Sequence, residues 1–153
     1  MPVDVAVEAV IRRPVAEVAA YAADPATAPS WYANIKSAEW VTQPPIRVGS
    51  RFRFTARFLG KTLAYTYEVA AHEPGRRLVM RTAEGPFPME TTYTWEPVGG
   101  EATRMTLRNR GSPAGFSRLV APFMAMAMRR ATTKDLARIK AKLESSSAAV
   151  VEA

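Results

Sequence analysis

The chain has 153 residues, enough for one domain with its own core. It contains no cysteine and a single histidine, which excludes a disulfide framework, thiolate zinc ligation, a cysteine nucleophile and a multi-histidine metal site. The net charge of +7 brings an anionic partner into consideration, nucleic acid first.

The opening MPVDVAVEAV carries acids where a signal peptide needs a basic segment. No apolar run approaches the roughly 18 residues of a membrane span, so a soluble, cytoplasmic protein is expected. Val3, Val5, Val7, Ala9 and Ile11 share one phase, opposite Asp4 and Glu8, which predicts a half-buried strand. Pro14 suits the first position of a helix running to about Ala23. Asp24-Pro25 reads as an N-cap followed by Pro, opening a second short helix that ends near Trp31 and Tyr32.

Six further strands are predicted, at about 37–42, 50–59, 62–72, 77–84, 89–96 and 102–111. They are separated by Pro44-Pro45, Gly60-Lys61, Pro74-Gly75, Gly85-Pro86 and Gly99-Gly100. From about Phe116 to Glu144, apolar residues recur at spacings of three and four, as in an amphipathic helix. Pro122 should kink that helix or mark its first turn. The tail SSSAAVVEA, residues 145–153, is weakly patterned and is expected to fray. Consecutive strands with short connections make an antiparallel meander, and the long helix is the one element large enough to cover its apolar face. The fold class is therefore α+β.

Gly60-Lys61 suits a two-residue hairpin with Gly first. The implied register pairs Phe58 with Leu63, Ala56 with Tyr65, Phe54 with Tyr67 and Phe52 with Val69, and it sets Arg53 against Glu68 on the outer face. In the outward phase, acidic and basic strands alternate if the first strand pairs with the last. Asp4 and Glu8 then face Arg104, Arg108 and Arg110, which in turn face Glu90 and Glu96. Aromatics fill the opposite phase, away from the arginines. Single-strand nucleic-acid binders place the two together, so a solvated, ion-paired outer face is the better reading.

The inward phase holds more polar atoms than a dry core prefers. Tyr65, Tyr67, Tyr93, Trp95, Thr82, Thr91, Thr103 and Asn109 all lie in it. A mostly apolar cavity with a few polar groups accounts for them. The residues expected to line it from the strands are Phe54, Phe58, Tyr65, Tyr67, Met80, Thr91, Tyr93, Trp95, Met105 and Leu107. From the helical segment they are Phe116, Leu119, Phe123, Met124 and Met128.

At this point IRRPVAEVAAYAADPATAPSWYANI, IRVGSRFRF, EPGRRLVMRT and MAMAMRRATTKDLARIKAKLE, in that order and spacing, resemble the START-like or SRPBCC superfamily. The likeness is nearest to its polyketide cyclase/dehydrase and lipid-transport branch. The resemblance implies a helix-grip fold over residues 1–144, with a seven-stranded curved antiparallel sheet wrapped around a long C-terminal helix and two short helices after the first strand. It also implies a hydrophobic cavity for a lipid, sterol, polyketide, quinone or hormone. The broken helix pair would close one end of the sheet, with Trp31 or Tyr32 at the cavity rim. Trp31 serves equally as a plug against the helix, and Tyr32 as an exposed residue.

Signs of chemistry are few. His72 lies at a strand end beside Glu73 and Pro74, where a surface role is the ordinary one. There is no GxSxG elbow, GxGxxG turn or phosphate loop. No metal or cofactor is expected. Tyr65, Tyr67, Tyr93, Asn109 and Glu84 are the candidates for hydrogen bonding to a carbonyl or enolate. Glu84, beside Gly85-Pro86, also reads as a solvated turn acid. The first functional reading is a carrier or sequestering protein for a hydrophobic small molecule. The alternatives are a polyketide cyclase or dehydratase, and an interaction protein using a basic surface. A homodimer stays open.

Overall fold

The computed structural model describes residues 3–58, 60–84, 88–111 and 121–152, and the side chains of these except residues 58, 121, 122 and 146–152. The elements are β1 (Val3–Ile11), α1 (Val15–Ala23), a 3₁₀ turn (Pro25–Thr27) and α2 (Ala28–Trp31). They are followed by β2 (Ile35–Trp40), β3 (Arg51–Phe58), β4 (Lys61–Glu73), β5 (Arg77–Glu84), β6 (Met89–Val98), β7 (Ala102–Gly111) and α3 (Ala121–Glu152).

The strands form one antiparallel sheet in the order β1-β7-β6-β5-β4-β3-β2. The meander closes as the charge pattern requires, with β1 against β7. On the outer face Arg108 donates to both carboxylate oxygens of Asp4, at 2.9 and 2.6 Å. Arg81 and Arg110 flank Glu90 at 2.8 and 3.0 Å, and Arg104 lies 3.7 Å from Glu96. These guanidiniums hold the Asp4 and Glu90 carboxyls below the usual carboxylate range, chiefly through the hydrogen bonds from Arg108 and Arg81.

The β3–β4 register differs from the sequence expectation by two residues. Phe52 lies opposite Tyr67, Phe54 opposite Tyr65, and Arg53 opposite Thr66. The predicted Arg53–Glu68 contact is replaced by Arg51–Glu68 at 3.5 Å, and Arg53 instead faces Glu39 across β2. The reason lies in the turn. Phe58 pairs with Lys61, so Gly60 is the second loop residue and takes the left-handed conformation, φ +79°. A two-residue shift leaves every side chain on its predicted face. Phe52, Phe54 and Tyr65 are accordingly buried while Arg51, Arg53 and Arg57 are exposed.

Irregular pairing between β4 and β5, near Thr66/Tyr67 and Val69/Ala71, bends the sheet. Its concave face holds Phe52, Val69, Leu78, Met80, Trp95, Met105 and Leu107, packed with Leu136, Ile139 and Leu143 of α3 and Val18, Ala19 and Ala22 of α1. The helix lies along β1 and touches α2. Lys140 donates to the Val10 carbonyl at 2.6 Å, and Glu144 accepts from the Arg12 backbone at 3.0 Å. This is the predicted grip: a curled seven-stranded sheet, a C-terminal helix and short helices after the first strand.

The chain break at Asp24-Pro25 is built as the sequence indicates. The Asp24 carboxylate accepts from the Ala26 N–H at 3.0 Å and Pro25 opens the turn. Asp24→Ala should cost about 1 kcal/mol of stability, read by urea denaturation, because it removes the cap on the Ala26 N–H.

Candidate functional site

Between the concave face, α2 and α3 lies a cavity of about 150 Å³. Its sheet wall is Ile35, Phe54, Ala56, Leu63, Tyr65, Tyr67, Met89 and Asn109. Its helix wall is Met128, Ala131, Thr132 and Asp135, and Tyr32 with Asn34 closes one end. A volume near 150 Å³ accommodates a guest of about benzene size.

The polar groups in this wall are organised. Thr91 Oγ1 donates to Asn109 Oδ1 at 2.7 Å. Asn109 Nδ2 reaches Thr132 Oγ1 at 3.4 Å, and Thr132 Oγ1 donates to the Met128 carbonyl at 2.8 Å. Tyr67 is hydrogen-bonded to Thr91. A polar chain thus crosses from the sheet to the helix. A second link joins the Tyr32 and Tyr93 hydroxyls at 2.6 Å. Burial pushes the hydroxyls of Tyr32, Tyr65, Tyr67 and Tyr93 above the ordinary phenol value, so they are neutral hydrogen-bonding groups at physiological pH and not bases.

Asp135 differs from them. It is 4% exposed, and Oδ1 accepts from the Ala33 N–H at 3.0 Å. Burial raises its carboxyl from 3.8 to about 6, against the weaker pull of the Ala33 hydrogen bond and the Arg138 charge. Among the described residues it is the one acid lining this cavity, and no Lys, Arg or His lines it. It is the wall group best placed to exchange a proton near neutral pH.

The structure brings together Phe54, Tyr65, Tyr67 and Met128 of the predicted lining, with Asn109 from the catalytic candidates. Thr91 and Tyr93 stand one hydrogen bond behind the wall. Met80, Met105, Leu107 and Met124 are buried core instead. Trp95 is buried too, beside a larger depression of about 760 Å³ bordered by α1, Trp40, Ile46 and His72. The polar side chains of that depression are Asp24, which caps the Ala26 N–H, and His72. Among the described residues no chain of side-chain hydrogen bonds like that from Thr91 to Thr132 crosses it, which makes the smaller cavity the better candidate. Glu84 is exposed at the end of β5.

Phe123 is 70% exposed rather than turned inward. The inner stripe of α3 runs through Met124, Met128, Thr132 and Leu136 at four-residue spacing, and Phe123 lies about 100° around the helix from Met124. Trp31 is buried as the plug reading has it, 1% exposed, with its ring centroid 4.1 Å from that of Tyr32 and the two planes tilted by 33°. Tyr32, expected at the rim or in solvent, is half-buried and lines the cavity. Phe116 and Leu119 lie outside the described residues, as does the Phe58 side chain.

Thr132 and Asp135 do not stand out in the sequence. The usable signal is helical spacing. Thr132 lies four residues before Leu136, and Asp135 four before Ile139, so both share the face that buries Leu136, Ile139 and Leu143.

Several solved structures are similar over most of the chain. TTHA0849 from Thermus thermophilus matches with a TM-score of 0.81 at 22% identity, covering 94% of this chain and 99% of that one. The Zhui aromatase/cyclase from Streptomyces sp. R1128 matches at 0.79 and 16% identity, covering 94% of each chain. A START superfamily protein from Mycobacterium smegmatis matches at 0.73 and 12% identity, covering 90% of this chain and 97% of that one. At these identities the likeness establishes the fold alone. No curated protein sequence matches. The sequence profile of the family described as polyketide cyclase/dehydrase and lipid transport matches residues 2–144, nearly the whole chain. The chain therefore belongs to that family, with its START-like helix-grip architecture.

Proposed function

We propose that the protein binds, and so carries or sequesters, a hydrophobic small molecule in the cavity between the sheet and α3. The observation that carries this reading is a void of about 150 Å³ whose wall mixes aromatic and aliphatic side chains with a few anchored polar groups. Family membership supports it. Mass spectrometry under native conditions, on protein purified from its host, should reveal a co-purifying apolar molecule. Ala131→Phe, which fills the void from the helix side, should remove it. Retention of the molecule by the filled variant would overturn the proposal.

A second reading, a cyclase or dehydratase, is favoured by one specific feature: Asp135 can exchange a proton beside neutral tyrosine hydroxyls. Orientation of a reactive chain in a dry pocket would supply much of the rate. The two readings separate by mutation. Replacing Tyr65 or Tyr67 by Phe, or Asp135 by Asn, should abolish turnover in an enzyme and only weaken binding in a carrier.

A further inference from the structure

The cavity has an asymmetry of charge that bears on which guest it takes. Its wall contains a carboxylate and, among the described residues, no cation. Asp135 Oδ1 accepts from the Ala33 N–H, and among the described residues this is the one hydrogen bond made to the carboxylate. The groups packed around it do not supply a counter-charge. From the α2–β2 connection comes the Tyr32 ring, and from β6 the Tyr93 hydroxyl bonded to it. On α3 itself Arg138 is exposed, and its pull on Asp135 is weaker than the effect of burial. Four of the residues lining the same small space are aromatic, Tyr32, Phe54, Tyr65 and Tyr67, and the others are aliphatic or neutral polar. Aromatic walls beside a lone carboxylate stabilise a cation and repel an anion.

Resting on the reading that this cavity is the binding site, we infer that it selects guests carrying a hydrogen-bond donor, an aliphatic ammonium group best of all, and excludes carboxylates. The donor group meets Asp135 Oδ2 and the apolar part of the guest lies against Phe54, Leu63 and Met128. A free fatty acid, whose head group is an anion, is the wrong partner for this wall.

A matched series of one-ring compounds tests this by calorimetry at about pH 8: benzylamine, benzyl alcohol and phenylacetate. Benzylamine should bind about tenfold more tightly than benzyl alcohol, because its ammonium adds the attraction of opposite charges to the hydrogen bond that either donor makes with the carboxylate, and phenylacetate should not bind measurably. Asp135→Asn should erase the advantage of the amine over the alcohol. Equal binding of all three, or tightest binding of phenylacetate, overturns the selectivity while leaving the cavity as the binding site. Failure of all three to bind overturns the reading beneath it as well. The wild-type ranking is decisive by itself, whatever the variant does.

Discussion

Asp135→Asn should make the protein more stable at about pH 8 and leave it almost unchanged near pH 4. The carboxyl is raised from 3.8 to about 6 by burial, so the folded state holds its proton more tightly than the unfolded chain does. Below 3.8 both states are protonated and the shift has no effect on stability. Between about 4 and 6 the unfolded chain gives up the proton first, and wild-type stability falls as pH rises through that window. Above about 6 the full penalty is present, near 3 kcal/mol for roughly two pH units at about 1.36 kcal/mol each, and somewhat less with water in the cavity. Asparagine keeps an oxygen for the Ala33 N–H without the charge. Thermal unfolding should therefore show the variant melting about 5–10 °C higher at pH 8, with the gap closing toward pH 4. Equal melting temperatures at the higher pH would mean that Asp135 ionises without penalty.

The second large effect belongs to Trp31. Its indole is 1% exposed, packs at a tilt against Tyr32 and lies 5.9 Å from the Tyr93 ring. Trp31→Ala should cost about 3–5 kcal/mol, a large share of the roughly 5–15 kcal/mol that holds a domain together. Trp31→Phe should cost clearly less. The indole Nε1 is buried without a hydrogen-bond partner among the described residues, so its removal breaks no hydrogen bond there and eliminates a desolvation penalty. Urea denaturation of the two variants separates these outcomes. Equal losses would place the value of Trp31 in its N–H rather than in its packing. Tyr32, bonded to Tyr93, should lose its position in the alanine variant, and the end of the cavity with it.

The two variants act on different sides of one arrangement. The broken segment from Pro14 to Tyr32 packs α2, which ends in a buried tryptophan, against β2 and α3. The next residue turns its ring into the cavity, and the Ala33 N–H fixes Asp135 on the facing helix. A buried carboxylate without a cation beside it is a net cost to the folded state. A guest that supplies the missing donor offsets that cost, which connects the predicted stability of Asp135→Asn to the predicted preference for amines.

The strands were readable because alternation reports the face residue by residue, as Val3, Val5 and Ile11 or Phe52 and Phe54 illustrate. The closure of β1 on β7 was readable from charge. The β3–β4 register was not, because it depends on whether Gly60 is the first or second loop residue, and one turn position moves every pair by two. Strand phase placed Phe54, Tyr65, Tyr67 and Asn109 on the inner face that forms the sheet wall, but it could not separate them from Met80, Met105 and Leu107, which fill the core of the same face. The helix wall followed poorly, since a pattern of apolar residues draws the eye to Phe123 and away from Thr132 and Asp135. The Tyr32–Tyr93 bond joins residues 61 apart, and nothing local announces it.

The most direct test uses methionine methyl groups labelled with carbon-13 and a neutral one-ring guest, benzyl alcohol, followed by NMR. Met89 and Met128 line the cavity, whereas Met80 and Met105 are buried core. Occupancy of the cavity should shift the first pair strongly through the ring current of the guest and leave the second pair nearly still. Saturating guest with no shift at Met89 and Met128 would contradict a binding cavity between the sheet and the terminal helix.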